Sequence, residues 1–184
     1  MMQSLRGALP YRLRQFMNGL RAEVSAAEQA IVAAHLPPAA YALFQQMPAD
    51  AQRHSLNVLA TIQAAGVADA DLAVAALLHD VGKVAAAQAG HPLNLWWRGP
   101  LVLLELGAPW LLRRLAAPNP RGGWRYLLHV HLEHPAIGAA WAEQAGCSPL
   151  ACWLIGHHQA RPAPVASPQA LTLLHALQKA DDRH

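Results

Sequence analysis

Seven side chains able to hold a cation lie along this chain at His54, His79, Asp80, His134, His157, His158 and Asp181, distributed over five predicted helices or helix ends. Neutral imidazole and carboxylate together suit borderline first-row cations such as Fe, Mn, Ni, Co or Zn, and the set contains no thiolate. More than four such ligands point to two metals bridged by a carboxylate, and Asp80, with its two oxygens, is the natural bridge. A dinuclear site of that kind makes a hydroxide at neutral pH and clamps a phosphate during in-line attack. No one of these residues is diagnostic alone, because a single histidine in an alanine-rich helix is more often packed or solvated than ligating.

The elements that must position them can be read from the local pattern. Ala75 to Leu78 has the composition of a buried helix and passes directly into His79, Asp80, Gly82 and Lys83. The pattern predicts that this helix closes where Gly82 permits a left-handed turn, with His79 and Asp80 at the edge of the core. Upstream, residues 49 to 65 read as a helix closed by Gly66, with His54 in its second turn and Asp50 four residues earlier. That spacing stacks Asp50 and His54 on one face, which suits either a shared metal or an acid stabilising the helix start. A helix from Trp124 through Ala145 carries His134, a helix from Pro149 ends at His157 and His158, and a last helix over 169 to 179 leads into Asp181. A helix turns about 100° per residue, so at most one of His129 and His131 shares the face of His134. Those two are set aside, together with His35, His91, His175 and His184, which have no motif support.

The wider composition bounds the architecture. A chain of 184 residues, 54% hydrophobic and dominated by Ala and Leu, predicts a single all-α domain with many short helices, since it holds 14 prolines and 12 glycines. Residues 1 to 48 read as an N-terminal helical extension. They comprise a basic amphipathic helix within residues 1 to 23 and a second helix opened by the Ser25 to Glu28 capping box. Residues 49 to 184 form the domain proper, interrupted at about 93 to 121 by a Trp-, Leu- and Arg-rich insertion that predicts a packed hairpin, a lid, a dimer face or a docking surface. A net charge of +3 carries no DNA-binding signature. The longest apolar stretch, 99 to 112, is too short to span a bilayer, no signal-peptide pattern follows Met1, and the two cysteines, Cys147 and Cys152, fit neither a metal pair nor a disulfide framework. A cytoplasmic location is the expectation.

Taken in order, Arg-His-Ser-Leu at His54, Leu-Leu-His-Asp-Val-Gly-Lys at His79 and Asp80, and Lys-Ala-Asp at Asp181 resemble the HD-domain metal-dependent phosphohydrolase superfamily, from about residue 50 onward. His134-Pro135-Ala136-Ile137-Gly138 and Ile155-Gly156-His157-His158-Gln159 are similar to segments of its HDIG and HD-GYP-like subgroup. The continuation Gln159-Ala160-Arg161-Pro162 lacks the Gly-Tyr-Pro segment of the HD-GYP proteins, so the resemblance does not extend to cyclic di-GMP specificity. It implies an HD-domain-like helical bundle. It also implies one metal held by His54, His79, Asp80 and Asp181 and a second held by Asp80, His134, His157 and His158. Asp80 and Lys83 would be the catalytic residues, with Lys83 contacting the substrate phosphate.

The resulting expectation is a metal-dependent phosphoric ester hydrolase, acting through a metal-bound hydroxide on a phosphorylated small molecule such as a nucleotide or cyclic dinucleotide. The absence of GxSxG, Walker and GxGxxG patterns weighs against triad, NTPase and dinucleotide-fold readings. The alternative is a catalytically inactive regulatory module that keeps the metal and nucleotide site without turnover.

Overall fold

The computed structural model describes residues 23 to 91, 104 and 107 to 184; among these every regular element is helical. The predicted amphipathic helix before residue 23, and most of the first half of the insertion, lie outside the described residues.

Ser25 opens α1 (Ala26–His35) with the expected capping box, its hydroxyl accepting from the Glu28 N–H while the Glu28 carboxylate accepts from the Ser25 N–H. Arg53 reaches across from the next segment to the same carboxylate, which holds Glu28 at a pKa of about 2. Pro37 and Pro38 end α1 and start α2 (Pro38–Gln45). Val32, Leu36, Ala40, Phe44 and Met47 join the same buried cluster as the later helices, so these two helices complete the main core.

The site rests on five of the further helices. α3 (Ala49–Ala64) buries Leu56, Val58, Leu59 and Ile62 and turns at Gly66, whose φ of 75° is the left-handed value that glycine tolerates. α4 (Ala70–Leu78) starts at Asp69, which accepts from the Leu72 N–H, and is buried from Leu72 to Leu78. A helix apolar on all sides belongs at the centre, and α4 does pack against α1, α3 and two later helices. After it come a 3-10 turn (Val81–Lys83), the short α5 (Val84–Gln88), and, past the insertion, α6 (Pro109–Leu115) and α7 (Trp124–Gln144). α8 (Pro149–His157), capped by Ser148, and α9 (Pro168–Asp181), capped by Ser167, close the bundle. α9 extends two residues beyond the predicted Lys179, which puts Asp181 on the helix itself.

Gly82 corrects one expectation. It does not adopt a left-handed φ; it lies buried inside the 3-10 turn, where a Cβ would overlap the His134 carbonyl oxygen and lie 2.8 Å from the Gly138 nitrogen. A Cβ on Gly138 would in turn lie 3.2 Å from the Gly82 nitrogen. The two glycines therefore let the turn after Asp80 lie backbone to backbone on α7. The requirement is close approach rather than backbone conformation.

No helix among the described residues is long and apolar enough to cross a membrane.

Candidate metal centre

Six of the seven predicted ligands converge in two groups. His54, His79 and Asp181 each offer an atom within 4.8 Å of the others, and so do Asp80, His134 and His158. His54 Nε2 is 2.9 Å from Asp181 Oδ1 and 3.2 Å from His79 Nε2. In the second group Asp80 Oδ1 is 3.3 Å from His134 Nε2 and 3.8 Å from His158 Nε2. The other oxygen of Asp80, Oδ2, is 3.8 Å from His79 Nε2 and 2.7 Å from Lys83 Nζ, so the carboxylate looks toward both groups. The imidazoles form a chain, with ring centres 5.2 Å apart for His54 and His79, 5.1 Å for His79 and His158, and 5.2 Å for His158 and His134.

The backbone fixes which nitrogen of each buried ring faces inward. Nδ1 of His79 sits 3.0 Å from the Ala76 carbonyl, and Nδ1 of His158 sits 2.8 Å from that of Ile155. A carbonyl only accepts, so Nδ1 carries the proton and donates, leaving Nε2 of the neutral ring as a lone pair. His134 uses a different device. Pro135 lies inside α7 and has no N–H to offer the His131 carbonyl one turn back. His134 Nδ1 takes that place at 2.8 Å from the His131 oxygen. The proline thus frees a carbonyl, the carbonyl orients the ring, and the ring presents Nε2 to Asp80. Backbone anchoring of the distal nitrogen in this way is how metal-binding histidines are held.

The inner group is short of partners. Among the described residues the fully buried side-chain polar atoms with no hydrogen-bond partner are Ser55 Oγ, His134 Nε2 and His158 Nε2. Leaving such an atom unsatisfied costs about 1–3 kcal/mol, and two of the three point at one carboxylate. Burial pushes both rings toward the neutral form, lowering His134 and taking His158 down to about 3. For Asp80 burial favours the protonated acid, but the Lys83 ammonium and then His79 outweigh it and hold the carboxyl well below its usual range. Two neutral imidazoles and one carboxylate, with bare lone pairs in a dry pocket, are a donor set that a divalent cation would satisfy.

The outer group satisfies itself. Burial works against charge on His79, yet Asp80 and Asp181 overcome it and raise the ring above its ordinary value. Asp181 is likewise opposed by burial and lowered overall by the hydrogen bonds from His54 and His79. The side chains of His54 and Asp181 are 24% and 26% exposed, whereas those of His79, His134 and His158 are fully buried, so the cluster opens to solvent along the His54 and Asp181 side.

Two residues differ from the simplest ligand list. His157 belongs to neither group; its ring lies 4.7 Å from that of Trp153 and its Nδ1 is 2.7 Å from the Trp153 carbonyl. Asp50 lies in the first turn of α3, where Pro48 occupies the N-cap and no side-chain capping bond forms. Sequence reasoning set aside His184, which the structure brings to the rim. Its Nε2 is 2.7 Å from Thr61 Oγ1, and burial first, then the charge of His54, lowers its pKa. Its position after Asp181 carries no motif that could have marked it. An open cleft of about 500 Å³, lined in part by Arg161, His175 and Lys179, runs beside α9, and none of the six clustered residues lines it.

No protein-family model, curated protein or solved structure matches this chain.

Proposed function

We propose that the chain is a metal-dependent phosphohydrolase of the HD type, cleaving a phosphate ester of a nucleotide or similar phosphorylated small molecule. The observation that carries this reading is the pair of buried, unpartnered Nε2 atoms of His134 and His158 aimed at Asp80, with Lys83 2.7 Å from the same carboxylate. His54, His79, Asp80 and Asp181 would hold one divalent cation, and Asp80, His134 and His158 the other. His157 would need its Nε2 to turn toward the second cation to join it. Bound cations would supply an acidified water and withdraw charge from the phosphoryl oxygens.

The chain's own residues do the rest. Asp80 keeps both oxygens ionised and directed at the two groups, because Lys83 and His79 hold its proton off. The backbone carbonyls of Ala76, His131 and Ile155 keep the imidazole lone pairs pointing inward. Lys83, whose side chain is 37% exposed, can leave Asp80 once that carboxylate is otherwise neutralised and pair with the incoming phosphate from the solvent side. No Ser or Cys nucleophile is needed. A reducing compartment such as the cytoplasm suits the two free thiols, of which burial pushes Cys147 up to about 11.

The test pairs metal analysis of the purified protein with hydrolysis of bis(p-nitrophenyl) phosphate and of p-nitrophenyl phosphate in Mn, Fe, Co, Ni or Zn. The expected result is bound metal and turnover, both lost in Asp80→Asn. Bound metal and tight nucleotide binding with no product from any phosphate ester would replace the hydrolase with an inactive regulatory module. A wild-type protein that binds no metal would overturn both.

A further inference from the structure

We infer that the corner formed by α6 and the start of α7 is a docking surface for anionic lipid headgroups, which would make this a peripheral membrane protein. α6 is Pro109-Trp110-Leu111-Leu112-Arg113-Arg114-Leu115. At about 100° per residue, Arg113 and Arg114 fall on the face of Trp110, and Leu112 falls on the opposite one. Leu112 is buried against Leu127 and Leu128 of α7 in a small cluster separate from the main core. Trp110 is 65% exposed, and Arg113 and Arg114 stand exposed beside it. Arg121, within the turn at Pro118 to Gly123, and Trp124, just after it, are exposed too, with Trp124 at 47%.

Charge selects the occupant. From residue 106 to residue 132 the sequence has four arginines, Arg113, Arg114, Arg121 and Arg125, and no Asp or Glu. Arg125 is partly spent on the Leu115 carbonyl at the end of α6, leaving Arg113, Arg114 and Arg121 exposed, like the two indoles, and with no ion pair among the described residues. Indole rings partition to the polar–apolar boundary of a bilayer, and each Arg near an anionic leaflet adds about 1 kcal/mol. A second copy of the same face would repel it, since the patch carries one sign of charge. A single-stranded nucleic acid would need its bases stacked along a basic groove, whereas Trp110 stands out into solvent.

The experiment is co-sedimentation of the full chain with large vesicles of phosphatidylcholine, with and without about one third phosphatidylglycerol. The expected result is at least about tenfold stronger binding to the anionic vesicles, weakened by salt. Arg113→Glu/Arg114→Glu should lose about tenfold or more and Trp110→Ala several-fold, with helical circular dichroism unchanged because all three residues are exposed. Brominated lipid should quench the tryptophan fluorescence of wild type more than that of Trp110→Ala. Chelating metal leaves vesicle binding unaltered, so failure of the hydrolase reading and failure of this one are separable. Equal binding to both vesicles, wild-type binding by the double Arg variant, or displacement from vesicles by an oligonucleotide would overturn the proposal.

Discussion

The two halves of the His/Asp cluster are built from the same residue types and prepared in opposite ways. The outer half, His54, His79 and Asp181, is partly open to solvent and its polar atoms answer one another, with His79 raised in pKa by the two carboxylates. The inner half, Asp80, His134 and His158, is shut away, and its imidazoles are forced neutral with lone pairs unanswered. Burial and the neighbouring carboxylates thus push the same residue types in opposite directions, toward the proton in the outer half and away from it in the inner. Burial moves the inner half toward the neutral imidazoles that a cation requires, while the carboxylates beside His79 favour the proton that a cation would have to displace.

This contrast can be broken most directly by metal counting. His158→Ala should cost the inner group at least about a hundredfold in metal affinity and leave the outer group's metal in place, whereas His54→Ala should do the reverse. Calorimetric titration with Mn or Zn reads both, and loss of the same single equivalent in the two variants would merge the groups into one site. Gly82→Ala comes next. The added methyl meets the α7 backbone rather than a flexible side chain, so the turn must lift off, at a cost of about 2 kcal/mol in chemical denaturation. The inner group should weaken more than the outer.

A subtler variant separates helix stability from site quality. Pro135→Ala restores an N–H able to compete for the His131 carbonyl, so α7 should gain thermal stability while inner-site metal affinity falls about tenfold. Higher melting temperature with unchanged affinity would remove the proline from the account of the site. The smallest effect is in the pH dependence of the metal-free protein. His158 binds its proton more weakly folded than unfolded, so between pH 6.5 and about 3 the unfolded state holds more protons and stability rises with pH. A drop of about 1 kcal/mol from pH 6.5 to 5.5 follows. His79 has the opposite sign; its contribution is complete below 6.5 and declines as pH climbs through its raised value. The metal-free protein should therefore be most stable near pH 6.5, and denaturant titrations at several pH values test it.

Much of this was legible in the residues. The Ser25 to Glu28 capping box, the Gly66 stop and the all-helical composition each act through local chemistry, and each takes the expected form. The places of His54, His79, Asp80, His134, His158 and Asp181 on their helices follow from that same local chemistry, and the packing of those helices brings them together. Most of what could not be read depends on contacts between segments far apart in sequence. The role of Gly82 comes from the approach of α7, more than 50 residues later. The arrival of His184 at Thr61 depends on how α3 and α9 pack, whereas the turning of His157 onto Trp153 is an i to i+4 contact within α8 that competes with ligation. Pro135 was visible as a residue, but its effect on His134 requires knowing that the helix runs straight through it.

The contact between Gly82 and Gly138 also bears on time. With no side chain at that contact, the wall on that side of Asp80 has nothing that can swing aside, and cations would exchange through the solvent side, past His54, Asp181 and the movable Lys83. Loading and loss would then be governed by the movement of those three side chains. The half-life of metal loss would describe how fast those side chains part rather than the strength of the inner bonds.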